Sequence, residues 1–108
     1  MGGKRILENS LDLLVLAHCA DYFRRRELIS GALLSRRARS ELVYLNSAIL
    51  SAAEGVVGER YAELFIKEIA LHVGYANSAV DGMSELTYKR YKKRIKEEIA
   101  KRLYLDSE

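Results

Sequence analysis

Three groups of side chains have the types and spacing for chemistry. Glu68 and His72, in "KEIALH", stand four residues apart. On one helical face they would offer a metal ion a carboxylate and an imidazole. A di-iron bundle, however, needs Glu-x-x-His pairs and further inward carboxylates. The chain has no Glu-x-x-His, and its other histidine, His18, has no acid on its stripe. Both histidines are therefore expected to be core or interface imidazoles hydrogen-bonded to backbone or serine. No metal or cofactor is expected.

His18 and Cys19 form the second group. Neighbours on a helix diverge by about 100°, so the imidazole cannot activate this thiol. Cys19 reads as a small buried apolar residue. No serine sits in a Gly-x-Ser-x-Gly elbow, and no glycines form a phosphate loop. Helical ribonucleases of the HEPN type pair an arginine with a histidine shortly after it. Here the nearest preceding arginines are Arg5 for His18 and Arg60 for His72, too distant to fit. The chain is not expected to be an enzyme.

The third group is ionic. Six arginines, Arg24, Arg25, Arg26, Arg36, Arg37 and Arg39, face Glu27 alone in the stretch 24–39. Residues 88–96 hold Lys89, Arg90, Lys92, Lys93, Arg94 and Lys96 with no acid. Between the two, residues 40–85 carry seven acids against Arg60 and Lys67. Such segregation suits a polyanion, or docking of basic ends on an acidic surface.

The elements that must position these groups are helical. The chain has 108 residues, 49% hydrophobic and 31% charged, with no proline. That composition excludes a disordered chain and favours long helices in one domain spanning residues 1–108. The expected fold is all-α, an up-down antiparallel bundle of three to four helices. The first helix runs from about Lys4 to the late twenties. Leu7, Leu11, Leu14 and His18 form its stripe, widened by Leu13, Leu16, Ala17, Ala20 and Phe23. So broad an apolar surface predicts burial from several sides and a homo-oligomer.

"LISGALLS", residues 28–35, marks a break, with the first helix reaching Leu34 or the second starting at Glu27 as the alternatives. The second helix places Leu42, Leu45, Ile49 and Ala52 inward, and "GVVG", residues 55–58, closes a hairpin. The third is expected from Glu59 to Val80, and Gly82 and Ser84 form the next turn. Small residues on the second helix (Ser47, Ala48, Ser51, Ala52, Ala53) and the third (Gly74, Ala76, Ala79) would permit close approach.

The fourth helix reaches about Leu105. At 100° per residue Tyr88, Tyr91, Ile95, Ile99 and Leu103 fall on one buried stripe. Glu97–Lys101 and Glu98–Arg102 are acid-first pairs four apart, each stabilising a helix by roughly 0.2–0.5 kcal/mol. Lys89 and Arg90 have no acid ahead of them, beside a helix start that is already positive.

The stretch "VDGMSELTYKRYKKRIKEEIAKRL" loosely resembles the closing helix pair of two kinds of small bundle. These are relatives of the protein encoded within intervening sequences of bacterial large-subunit rRNA genes, and accessory proteins of diversity-generating retroelements. Gly82, Met83, Ser84, Tyr88, Ile95, Glu98 and Ile99 carry the likeness. It covers barely a quarter of the chain and assigns no family.

One cysteine excludes an intrachain disulfide. The longest apolar run, "LLVLAHCA" (residues 13–20), is too short to span a bilayer. The N-terminus lacks a signal-peptide pattern, so a soluble cytoplasmic protein is expected. The expected function is non-enzymatic: a small helical oligomer that binds RNA or DNA phosphates as an accessory or subunit of a nucleoprotein assembly. Its contacts would be Arg24, Arg25, Arg26, Arg36, Arg37, Arg39, Lys89, Arg90, Lys92, Lys93 and Arg94. The alternative is a scaffold whose basic ends dock on acidic surfaces of its own subunits or of a partner.

Overall fold

A computed structural model describes the backbone of residues 2–31 and 33–105 and the side chains of residues 10–31 and 33–105. Helix α1 spans Gly2–Ser30, α2 Arg36–Val57, α3 Glu59–Ala70 and α4 Glu85–Ala100. No strand occurs among the described residues.

The break between α1 and α2 falls inside "LISGALLS", clear of both alternatives. The Ser35 side chain accepts a hydrogen bond from the Ala38 N–H at 3.1 Å, satisfying one orphan donor of α2. The hairpin expected over Gly55–Gly58 shrinks to one residue. Gly55 lies within α2, and only Gly58, at φ 84°, separates α2 from α3. That left-handed φ suits a residue without a Cβ.

Helix α3 departs most from expectation, ending at Ala70 and not at Val80. The Val73 N–H donates to the Glu68 carbonyl at 2.9 Å and the His72 N–H to that of Ile69 at 3.2 Å, the two bonds of a Schellman cap. His72 takes the left-handed position at φ 56°, where glycine is usual. No glycine stands at this stop to mark it. Gly74, Ala76 and Ala79 therefore lie exposed in a connection over residues 71–84, not on a packed helix. It includes a 3-10 turn, Tyr75–Asn77, and Gly82 at φ 81°. Ser84 then caps α4, accepting from the Thr87 N–H at 3.2 Å.

All four helices line one core. Val15, Cys19 and Tyr22 come from α1; Ile49, Ala52 and Ala53 from α2; Phe65, Ile66 and Ile69 from α3; Tyr88, Ile95 and Ile99 from α4. Each fully buried Ile or Phe contributes roughly 1.5–3 kcal/mol. The α4 stripe is as expected, Tyr91 and Leu103 packing at its margin. On α1 the inward stripe is Val15–Cys19–Tyr22. Leu11 and His18 are half-buried beside it, while Leu13, Leu14, Ala17 and Ala20 are exposed. Leu7, named on the expected stripe, lies outside the described side chains.

Asp12 meets Lys96 at 3.3 Å, and His18 Nε2 meets the Tyr104 hydroxyl at 2.6 Å. The contacts occur in the same order along both helices, so α1 and α4 run in the same sense. Strict alternation would oppose the first and fourth helices and align the first and third; here Arg26 meets Glu63 while Ala20 lies beside Ala70 and Leu71, so α3 runs against α1 and the alternation lapses between α2 and α3. Beyond Ala100 the winding loosens to a π-turn, Lys101–Leu105. Among the described residues, neither Glu97–Lys101 nor Glu98–Arg102 forms an ion pair. No described helix is long and apolar enough to cross a membrane.

Candidate nucleic-acid interface

Three arginines of the first basic cluster, Arg25, Arg26 and Arg39, are tied to other parts of the chain. Arg25 is buried: its Nε donates to Asn46 Oδ1 at 2.7 Å and its Nη2 to the His18 carbonyl at 2.8 Å. Asn46 donates in turn to the Tyr22 carbonyl at 2.9 Å, locking α2 to α1. Burial lowers the Arg25 pKa against the opposing pull of Asp21. Burial and the Arg25 charge lower that of His18. Arg25 is therefore an internal tether that cannot reach an outside phosphate.

Arg26 donates to Glu63 Oε2 at 2.5 Å, and its guanidinium lies 5.0 Å from the Phe23 ring centroid. Glu63 also accepts from the Tyr22 hydroxyl at 3.0 Å. Arg39 donates to the Ile29 carbonyl and closes the junction between α1 and α2. Arg24 pairs with Asp21 at 2.7 Å and Arg37 with Glu41 at 3.6 Å, both exposed neighbours on their own helices. Arg36 is exposed and makes no ion pair among the described residues.

The second cluster divides differently. Lys92 Nζ donates to the Val73 carbonyl at 2.6 Å and lies 5.2 Å from the Tyr88 ring. It fastens the connection over residues 71–84 to α4, and burial lowers its pKa. Lys89 pairs with Glu85 at 2.8 Å, an acid-first partner one turn behind it that the sequence reading overlooked. Arg90, Lys93 and Arg94 of α4 are exposed, Lys93 on the side toward α1, with no acid partner among the described residues.

The clusters do not merge. Lys93 borders a cleft of about 680 Å³ with Leu11, Asp12 and Lys96, near the N-terminal half of α1. Arg24 lies roughly 18 Å further along α1 at 1.5 Å per residue, at the end where Arg39 joins α2.

Glu68 and His72 are not a ligand pair, because α3 ends between them and His72 is exposed outside it. The Glu68 carboxylate is fully engaged. Oε1 accepts from the Ser78 and Tyr88 hydroxyls, each at 2.6 Å, and Oε2 accepts the Ala79 N–H at 2.7 Å. His18 is half-buried on the Tyr104 hydroxyl, not on backbone or serine. Cys19 is buried, and burial pushes its thiol pKa up to about 12.

Two features escaped the sequence reading. Asn46 and Glu63 partner arginines far away in the chain, and no local spacing reveals such pairs. Tyr44, 62% exposed on α2, is four residues from Ser40 and eight from Arg36, so the three share a ridge. An exposed aromatic side chain thus lies on the α2 ridge of Arg36, whereas Tyr88 and Tyr91 of α4 pack on the core.

Comparison with protein-family models, curated proteins and solved structures finds no match.

Proposed function

We propose that this protein is a non-enzymatic module that binds nucleic-acid phosphates through the exposed cations of α4, as an accessory of a larger nucleoprotein assembly. The observation behind the reading is the exposed trio Arg90, Lys93 and Arg94, which lacks acid partners among the described residues. Arg90 stands three residues from Lys93 and four from Arg94, so these like charges share one helical face and are mutually unfavourable until an anion neutralises them. Lys89 can join by leaving Glu85, since an exposed pair of this kind is worth only about 0.3–0.5 kcal/mol. Such contacts reach phosphates and read no bases, so the expected affinity is sequence-tolerant.

In the protein-only alternative, basic ends dock on acidic surfaces. Arg26 already meets Glu63 within one chain, which leaves the first cluster less charge for such a partner.

A salt series on short RNA and DNA oligonucleotides tests the reading. Neutralising about three phosphates gives a slope of log affinity against log salt near −2 to −3. The triple variant Arg90→Glu, Lys93→Glu, Arg94→Glu should abolish binding, whereas Arg36→Glu with Arg37→Glu should weaken it far less. Binding indifferent to salt or to the triple variant would refute the proposal. Loss only in the Arg36/Arg37 variant would move the interface to α2.

A further inference from the structure

We infer that two copies of this chain associate through α1, antiparallel, each leucine knob seating in the other's cleft. Leu13 is 67% exposed, although the sequence placed it in the broad apolar surface of the first helix. Ala17, Ala20, Arg24 and Leu28 continue from it at spacings of three and four, so all share its outward face. Leu28 is also 47% exposed. At the far end of this face Arg24, Glu27, Leu28, Gly31, Leu33 and Leu34 line a cleft of about 240 Å³. Leu33 there is 97% exposed.

Knob and cleft are placed for self-pairing. Leu13 and Leu28 are equally far from the Ala20–Asp21 peptide, about 22 Å apart along the helix at 1.5 Å per residue. A twofold axis through that peptide puts each Leu13 beside the other copy's Leu28 and cleft, the reciprocal pattern of an isologous interface. The same axis sets Arg24 over the partner's Ala17, whose small side chain leaves room for the guanidinium. Arg24 could then reach the partner's Asp21 as well as its own, to which it is bound at 2.7 Å. A parallel pairing would instead stack Arg24 on Arg24, and Leu13 would meet a second knob. Ala17 and Ala20 at the centre let the backbones come close.

The inference is independent of phosphate binding, since α1's outer face contains none of the α4 cations. Sedimentation and light scattering should give a dimer mass. Leu13→Glu should yield a monomer with unchanged helical content, because the side chain is exposed in the single chain. Under mild oxidation Ala20→Cys should cross-link to its own counterpart. Leu13→Cys should cross-link only when mixed with Leu28→Cys, the native Cys19 being buried. A monomeric wild-type protein, a Leu13→Glu variant that stays dimeric, or Leu13→Cys cross-linking with itself would overturn the inference.

Discussion

The Tyr88 hydroxyl donates to Glu68 Oε1 at 2.6 Å, the same oxygen that receives the Ser78 hydroxyl. One carboxylate thus ties the end of α3 to α4 and to the connection between them. Burial pushes the Glu68 carboxyl up. Hydrogen bonds from Ser78, Tyr88 and the Ala79 N–H, with Lys92 nearby, outweigh it and hold the carboxyl below the ordinary range. A carboxylate depressed in the folded state adds stability that is complete above its unfolded pKa and fades as pH falls through the folded value. Glu68→Gln should therefore cost about 1–3 kcal/mol near neutrality and flatten the acid limb of stability against pH. Urea melts across that range measure both effects; an unchanged acid limb would contradict this role.

Arg25 should matter for stability and not for binding. Replacing it with alanine orphans Asn46 Oδ1, at about 1–3 kcal/mol for a buried group left unpaired, and removes the second donor to the His18 carbonyl, which keeps its helical bond. Arg25→Lys should not restore the loss, because an ammonium cannot span both acceptors with a planar fork. Chemical denaturation gives the cost. Oligonucleotide affinity, corrected for folded fraction, should stay at the wild-type value.

His72 holds a left-handed conformation that glycine adopts without strain. Its side chain is exposed, so His72→Gly removes little packing. The substitution should be neutral to stabilising by up to roughly 1 kcal/mol, relief of strain being offset in part by added freedom in the unfolded chain. His72→Val should destabilise. Paired thermal melts check the order.

Cys19 is buried against the core, and desolvation raises its thiol pKa to about 12. Alkylating reagents that need the thiolate should leave the native protein untouched at neutral pH and label it only on unfolding. Mass spectrometry with and without urea reads the difference. Fast native labelling would show that the core opens around α1.

The α4 stripe of Tyr88, Tyr91, Ile95, Ile99 and Leu103 was legible because helical period and burial agree there. Ser84 was legible as a turn residue beside a helix start, since a cap acts over three residues. The end of α3 was not legible, because its Schellman cap uses histidine where a glycine would have marked it. The true inner stripe of α1 was also hidden. Leucines surround that helix, and tertiary packing chose Val15, Cys19 and Tyr22.

For the candidate site, the sequence by itself determined that cations are segregated and that all eleven lie on or beside helices. Only the tertiary structure decided which of them are committed internally. Arg25, Arg26 and Lys92 find their partners 21, 37 and 19 residues away. Helical periodicity describes neighbours three and four apart, whereas pairing over such separations depends on how whole helices cross. The physical reason is range: propensity and capping act within a turn, but the burial that holds Arg25 inside and leaves Arg90, Lys93 and Arg94 exposed is set by all four helices together.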